Sequence, residues 1–346
     1  MRVLVVKMSS FGDVIHTLPA VTDLKTLIPE VEIDWVVEEA FTDIVRLHFG
    51  VDRVIPVAIR RWRSSWITSL GEIVRFRRQL REKEYDIIID AQGLLKSALV
   101  SWVAKGSIHG LDAASIKEAI ACSFYQQTHA VAKSQHAVTR VRQLFSDTFE
   151  YELTDLPAGC GLAVDQPQNE SKPRLLFLHG TTWSTKHWPE EYWCELAIKA
   201  ADQGFQILLP HGDDLELQRA DRIAERIPNN VTVLARASIG QLAEQMSSCA
   251  GVVTVDTGLG HLAAALDVPL VAIYGATDPK LTGPYGSVQS VLVSDHLPCI
   301  PCLKKDCQFQ KGEEYSSIHP PCYQKISPEV VFDKLSEVIS KRVMDD

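Results

Sequence analysis

The stretch RVLVVKMSSFGDV, residues 2–14, decides how the chain begins to fold. Its apolar run Val3–Val6 is short and rich in β-branched residues, which predicts a buried strand. Gly12 then permits a tight turn, and Asp13 stands at the start of a helical apolar pattern. A dinucleotide-binding protein usually carries a glycine-rich phosphate loop at this point, and Gly12 is the only glycine here. The first strand therefore leads to a carboxylate and not to a phosphate loop.

Strand patterns followed by helical patterns recur along most of the chain. The strand-like runs are RVLVVKM, EIDWVVE, RVIPVA, YDIIIDAQ, RLLFLHG, QILLPHG, VTVLA, GVVTVD and LVAIYG. Their alternation with helices predicts an α/β protein with parallel sheets covered by helices on both faces. Periodicity is lost between residues 151 and 174, where Pro, Gly, Asn and Ser accumulate. We therefore expect two Rossmann-like, doubly wound domains facing a central cleft.

The domain boundaries follow from this loss of periodicity and from a late helix start at Ser327-Pro328-Glu329. The expected parts are a first domain at 1–155, a connection at 156–173, a second domain at 174–325 and a C-terminal helix at 326–346. We expect that helix to pack back on the first domain.

The composition is that of a globular protein, with 346 residues, 46% hydrophobic content and a net charge of −9. A nucleic-acid binder needs a broad basic surface, so that class of protein is not expected. The apolar runs are strand-length, and the first one ends at Lys7 without a small-residue cleavage site. Neither a transmembrane helix nor a signal peptide is expected, and a cytoplasmic location follows.

Asp13 has two interpretations. As a residue at a helix start it can be an N-cap carboxylate. Because ligands of open parallel sheets bind beyond the carboxyl ends of the strands, it can also be a general base that takes a proton from an acceptor hydroxyl. One residue can serve both purposes.

Two further strand ends, both in the second domain, favour an anionic ligand. The first is VDTGLGH, where Asp256 ends a strand and Thr257 and Gly258 lead into a helix that carries His261. Backbone N–H groups and the helix dipole at such a start favour a diphosphate. The second is HGTTWSTKHW, where threonines and a lysine follow a strand and can balance a phosphate. Its candidate residues are Thr181, Thr182 and Lys186.

The segment IRRWR concentrates positive charge at another strand exit. Arginine forks suit phosphates or carboxylates, so Arg60, Arg61 and Arg63 are candidates for binding an anionic acceptor. A solvated surface is the alternative interpretation. The downstream run RFRRQLREK, residues 75–83, is also basic, and peripheral contact with the anionic headgroups of a membrane is a further hypothesis.

Four of the eight cysteines are clustered near the C-terminus. Cys299, Cys302, Cys307 and Cys322 have ligand-like spacing, which suits tetrahedral thiolate coordination of structural Zn or Fe. Reduced thiols without a metal are the alternative, followed by disulfides, which a reducing cytoplasm disfavours. No catalytic metal is required, since Lys186 and a helix N-terminus can stabilise a leaving diphosphate.

Several of these motifs, taken in order, resemble the lipopolysaccharide heptosyltransferase family of GT-B type inverting glycosyltransferases. They are VKMSSFGDVIHTLPA, IDWVVEEAF, RVIPVAIRRWR, IIDAQGLLKSAL, TKHWPEEYW, VDTGLGHLAAAL and YGATDP. The RRWR segment points to the members that add the first L-glycero-D-manno-heptose to Kdo-lipid A.

The resemblance implies ADP-heptose as donor and the Kdo of the inner core as acceptor, with Asp13 as the base. It implies that the diphosphate is held by Thr182, Lys186, Thr257, Gly258 and His261, with Thr181 beside them. Asp256 is then expected near the heptose hydroxyls and Glu216 near the ribose. The expected acceptor-binding residues are Ser10, Arg60, Arg61, Arg63 and Lys117.

Other functions remain open at the level of sequence. Related protein O-heptosyltransferases also carry a four-cysteine finger, so a protein acceptor is one alternative, as is an already heptosylated core. A non-enzymatic nucleotide-sugar-binding protein would need neither Asp13 nor the arginines. A dehydrogenase is disfavoured, because no Gly-x-Gly-x-x-Gly follows any predicted strand.

Overall fold

The computed structural model describes residues 1–65, 67–153, 159–164, 172–309 and 318–345, the last three without their side chains. These residues form two compact units, Met1–Ala163 and Val164–Asp346. The connection expected at 156–173 lies largely outside the described residues.

The first unit is a six-stranded parallel sheet in the order β3-β2-β1-β4-β5-β6. Its strands are β1 Arg2–Val6, β2 Glu32–Glu38, β3 Arg53–Val57, β4 Ile87–Asp90, β5 Ser107–Leu111 and β6 Gln127–His129. Its helices are α1 Phe11–Ile15, α2 Leu18–Leu27, α3 Thr42–Arg46, α4 Ile59–Ser64, α5 Leu70–Leu80, α6 Leu95–Val103 and α7 Ala137–Phe149. The order reverses beside β1, and the end of β1 is therefore a topological switch point where ligands of such sheets bind.

The second unit repeats this topology, with the order β12-β11-β10-β7-β8-β9 and all strands parallel. Its strands are β7 Arg174–Leu178, β8 Gln206–Leu209, β9 Val231–Val233, β10 Gly251–Val255, β11 Leu270–Tyr274 and β12 Gln289–Val293. Its helices are α8 Glu190–Asp202, α9 Asp214–Arg226, α10 Ile239–Ser247, α11 Gly258–Ala265, α12 Pro279–Thr282 and α13 Pro328–Asp345. The predicted pair of doubly wound sheets is confirmed.

The central strands are apolar on both faces because helices cover both sides of each sheet. Every residue of β7, β10 and β11 is buried, as are the last four of β1. Such runs are typical of parallel sheets. Each unit consequently has its own core, and polar side chains concentrate beyond the strand ends.

The C-terminal helix α13 belongs to the second unit, which corrects the expectation that it packs on the first domain. Its contacts are with α8 and with strands β10, β11 and β12. Val331, Leu335 and Val338 are buried in the core of that unit, and Lys199 Nζ lies 2.6 Å from Glu329 Oε1. Burial of this apolar face against the nearest sheet decides its partner. In the described part of the chain, no helix combines the length and apolar character that crossing a membrane requires.

Candidate active site

Asp13 lies in the first turn of α1, the short helix that follows β1. Its Oδ2 accepts hydrogen bonds from the backbone N–H and the hydroxyl of Ser10, each at 2.8 Å. Ser10 is the N-cap of this helix, and Asp13 is its capping-box partner at the third helical position. The expectation that Asp13 is itself the N-cap was therefore wrong by three residues. Among the described residues, none donates to Asp13 Oδ1, so one carboxylate oxygen remains able to accept a proton.

Lys7 controls the charge of this carboxylate. Burial raises the pKa of Asp13, but the ammonium of Lys7 and the hydrogen bonds from Ser10 outweigh it, so the pKa lies below its usual range. Burial lowers the pKa of Lys7, against the opposing effect of Asp13 and Asp90, and Lys7 Nζ donates to the carbonyl of Ala91 at 2.8 Å. Asp13 is thus ionised at neutral pH, as a general base must be.

Asp13 lines a cavity of about 180 Å³ within the first unit. Three cationic side chains line it as well, namely Lys7, Lys117 and Arg140. Arg140 Nη2 donates to the carbonyl of Ser115 at 2.7 Å, while its buried Nε has no hydrogen-bond partner among the described residues. A cavity with this charge suits an anionic ligand that presents a hydroxyl to Asp13.

Sequence reasoning placed Asp13 and Lys117 in this region but missed several of its residues. The missed ones are Lys7, His16, Gln92 and Arg140. Lys7 could have been predicted from the sequence, because it directly follows a buried strand, where ligand-binding residues of parallel sheets lie. Arg140 could not be predicted in this way, because it lies on α7 and is brought to the cavity only by the fold.

The arginine segment forms helix α4, and its three arginines differ in their surroundings. Arg61 is ion-paired with Glu39 at 3.1 Å and with Glu72 at 2.9 Å. Arg61 thus has two carboxylate partners within its own unit, and its role in binding an acceptor stays a prediction. Arg60 lies 5.7 Å from the ring centroid of Phe41, and Arg63 is exposed with no ion-pair partner in the described part of the chain.

In the second unit, Asp256 contacts residues from the segments that follow β7 and β11. Its Oδ2 lies 2.6 Å from Lys186 Nζ and accepts the hydroxyl of Thr277 at 2.5 Å. Its backbone carbonyl accepts the hydroxyl of Thr181 at 3.1 Å. Lys186 also lies 4.5 Å from the ring centroid of Trp183. The lysine is therefore fixed in position, as a group that binds one particular phosphate has to be.

Helix α11 begins directly after this aspartate. Thr257 is its N-cap and makes no side-chain capping bond, so the first N–H groups have no side-chain acceptor from Thr257. Together with the helix dipole they favour an anion. Gly258 is the first helical residue, and His261 is buried one turn further on. Thr182 is exposed beside Thr181 on the neighbouring loop.

Glu216 lies in the first turn of α9, after the second strand of its unit. In doubly wound nucleotide-binding sheets, an acidic residue in this region binds the ribose. Its Oε2 accepts the N–H of Gly212 at 2.6 Å. A Cβ added at Gly180 would overlap this carboxylate, so only glycine leaves Glu216 its place.

Arg219 and His187 support this loop region and were also missed. Arg219 Nη1 donates to the carbonyl of His179 at 3.1 Å and to His187 Nδ1 at 2.9 Å. Burial, and then the charge of Arg219, lower the pKa of both histidines to about 4. His187 is therefore neutral at neutral pH and can accept this bond.

The four clustered cysteines all line one apolar cavity of about 20 Å³. Their thiols are free, and burial raises the pKa of Cys299 and Cys322. Within the described ranges, no group of three or more His, Cys, Asp or Glu side chains is arranged to hold a metal ion. The prediction of structural Zn or Fe at Cys299, Cys302, Cys307 and Cys322 is thus not supported.

The sequence profile of glycosyltransferase family 9 (heptosyltransferase) matches residues 73–312. Lipopolysaccharide heptosyltransferase 1 of Pseudomonas aeruginosa is 47% identical over 98% of each chain. The solved structure of Escherichia coli heptosyltransferase WaaC with ADP is 46% identical, has a TM-score of 0.82 and covers 85% of this chain and 94% of its own. The same enzyme with ADP-2-deoxy-2-fluoro heptose is 45% identical, with a TM-score of 0.78 and coverage of 84% and 93%. The two sheets thus have the GT-B architecture of these enzymes.

Proposed function

Because this chain belongs to glycosyltransferase family 9, the heptosyltransferases, and transfers heptose in lipopolysaccharide core biosynthesis, we propose that it moves L-glycero-D-manno-heptose from ADP-heptose to the Kdo of Kdo-lipid A with inversion. The observation that carries this proposal is the ionised Asp13 in a cavity lined by Lys7, Lys117 and Arg140. Kdo is an acidic sugar, so it supplies both the hydroxyl and the negative charge that this cavity suits.

The acceptor side of the reaction rests on the first unit. Asp13 Oδ1 takes the proton of the attacking Kdo hydroxyl, while Ser10 holds the other carboxylate oxygen in place. Lys117 and Arg140 bind the acceptor's acid group by charge-assisted hydrogen bonds. Arg60, Arg61 and Arg63 bind further negative charge on the lipid-linked acceptor.

The donor side rests on the second unit. Lys186, held by Asp256 and Trp183, and the N-terminus of α11 receive the diphosphate. Thr181, Thr182, Thr257 and His261 contribute hydroxyl and imidazole groups, with Gly258 opening the helix. Glu216 binds the ribose, and Asp256 lies near the heptose hydroxyls.

The step is a single displacement. The acceptor oxygen attacks the anomeric carbon from the face opposite ADP, the carbon–oxygen bond to the diphosphate breaks, and ADP leaves with the bonding electron pair. Charge that develops on the diphosphate is stabilised by Lys186 and by the backbone N–H groups of α11. One displacement inverts the anomeric configuration.

A lipid-linked acceptor also implies a location. We propose that the enzyme works in the cytoplasm at the face of the inner membrane, in peripheral contact with it.

Asp13→Asn tests the role of the base. We expect kcat to fall by ~10²–10⁴-fold, which is the usual contribution of a general base, while the Kd for ADP stays unchanged. Ser10→Ala is the matched control, because it removes one hydrogen bond to the carboxylate and leaves the base present. Full turnover by a folded, ADP-binding Asp13→Asn variant would remove Asp13 from this role.

A further inference from the structure

Helix α5 presents apolar side chains to solvent. Phe76 and Leu80 on its inner side are buried against the sheet, yet Leu70 is 51% and Val74 is 59% exposed on its outer side. Ile67, in the turn before the helix, is 66% exposed. Scattered exposed apolar residues are ordinary, but several on one helix face indicate an interaction surface.

Helix α6 extends this surface. Val100 and Ala104 at its inner side belong to the same core as Phe76 and Leu80, so α5 and α6 cover the same face of the sheet. The two helices also meet through Arg81 Nη1, which donates to the carbonyl of Val103 at 3.1 Å.

The outer side of α6 carries Leu99 and Trp102, and Trp102 is 63% exposed. Residues three apart on a helix lie on one face, so these two side chains are neighbours. We call the surface formed by Ile67, Leu70, Val74, Leu99 and Trp102 the outer apolar surface.

Positive charge surrounds this surface. Residues 59–83 contain eight basic and two acidic residues, in a chain whose net charge is −9. Both acids are already engaged, Glu72 with Arg61 and Glu82 with Arg53. These ion pairs neutralise the charges of Glu72 and Glu82, so the positive charge of the remaining arginines in this segment is not balanced by a carboxylate of the same segment.

Val74, Arg77, Arg78, Arg81 and Glu82 line one open groove of about 370 Å³ on α5. The side chains of Arg77 and Arg78 have no ion-pair or hydrogen-bond partner in the described ranges. Unpaired arginines next to exposed apolar groups complement a surface that is negative outside and apolar beneath.

We propose that the outer faces of α5 and α6 rest on an anionic lipid bilayer. The aliphatic side chains and Trp102 enter the boundary between headgroups and acyl chains, where tryptophan is favoured. Arg77, Arg78 and Arg81 bind lipid phosphates. The inference rests on the proposed function in one respect, since a lipid-linked acceptor gives the surface its use.

Flotation of the full chain with vesicles tests this surface. We expect binding to vesicles that contain phosphatidylglycerol at physiological ionic strength, and much weaker binding to pure phosphatidylcholine. Arg77→Glu/Arg78→Glu should weaken binding about 25-fold or more, because each arginine near an anionic surface contributes about fivefold. Trp102→Ala should weaken it as well.

The controls are equivalent changes at exposed positions of the second unit. They are Lys325→Glu/Lys341→Glu for the charge reversal and Leu215→Ala for the tryptophan. These variants should bind vesicles like the wild type. The proposal is overturned when the wild type does not float with anionic vesicles, or when the α5 and α6 variants float as well as their controls.

Heptose transfer to a water-soluble Kdo glycoside separates this proposal from the proposed function. The α5 and α6 variants should retain the wild-type rate on that acceptor, because none of their changed residues lines the cavity of Asp13. Vesicle binding without transfer to the glycoside would refute the proposed acceptor and support the docking surface. A loss of transfer to the glycoside in these variants alone would overturn a purely membrane-binding role.

Discussion

At the scale of the residue, the site depends on the pairing of Asp13 with Lys7. Burial alone would favour the protonated carboxylic acid, which cannot accept a proton. The Lys7 ammonium and the Ser10 hydrogen bonds reverse that tendency. The proposed base therefore stays ionised although burial opposes its charge.

Lys7→Met tests this pairing through the pH dependence of kcat/KM. The ionised form of Asp13 is the active one, so activity is present above its pKa and is lost as the pH falls through it. Because Lys7 lowers that pKa, its removal raises the pKa and moves the acidic limb to higher pH. Lys96→Met is the control, since Lys96 donates to Ser9 and not to Asp13. An unmoved acidic limb in a folded Lys7→Met variant would contradict this explanation.

The sequence predicted candidate site residues where they lie in a segment that follows a recognisable strand. Asp256 follows its strand directly, and Asp13 and Lys186 lie in the segments that follow β1 and β7. The sequence predicted all three as candidates. The ion pairs of Arg61 could not be predicted, because its partners Glu39 and Glu72 come from other elements and a run of charges does not show pairing. Arg140 was missed because only the packing of α7 brings it to the cavity.

At the scale of the element, the loop after β7 and the start of α9 have to fit each other. Gly180 leaves room for the Glu216 carboxylate, which binds the N–H of Gly212. A side chain at Gly180 would displace the carboxylate of Glu216. The backbone of Gly180 does not adopt a left-handed conformation, so the need for glycine here is one of space.

Gly180→Ala should therefore weaken ADP binding about tenfold, which corresponds to the loss of one charge-assisted hydrogen bond. In a Glu216→Ala background the same change should have little further effect, since the carboxylate is already absent. Calorimetric titration of the wild type, the two single variants and the double variant with ADP measures both quantities. Additive losses in the double variant would show that Gly180 acts independently of Glu216.

Helix α13 should contribute strongly to the stability of the second unit. Leu335 is buried and lies near Gly251 of β10, so Leu335→Ala should lower the free energy of unfolding by about 2–5 kcal/mol. Ser336→Ala, one residue away and exposed, should change it by no more than about 0.5 kcal/mol. Denaturant unfolding checks this, and equal effects of the two substitutions would mean that α13 contributes little packing.

Nine of the twelve strands were predictable, because their apolar runs are long enough to recognise. The three missed strands are β5, β6 and β12. The first contains a histidine and a glycine, and the other two are edge strands with exposed or half-buried residues. The partner of α13 could not be predicted, since an amphipathic pattern shows that a helix packs but not where.

At the scale of the whole molecule, two units of one topology take different tasks. The cavity of the first unit contains the proposed base Asp13 and three cationic side chains. The loops of the second unit contain the proposed diphosphate and ribose sites, at the start of α11 and at Glu216. The net charge of −9 does not show that the two units differ in charge distribution. Eight basic residues lie within residues 59–83 of the first unit, which belong to the proposed acceptor and membrane surfaces.

Mass spectrometry of the acceptor after incubation with ADP-heptose tests the central claim most directly. Kdo-lipid A should gain the mass of one heptose with the wild-type enzyme and not with Asp13→Asn, while lipid A without Kdo should gain nothing. An already heptosylated core serves as the competing acceptor and should remain unchanged. A folded, ADP-binding enzyme that leaves Kdo-lipid A unmodified, or that modifies the heptosylated core instead, would contradict the proposed acceptor.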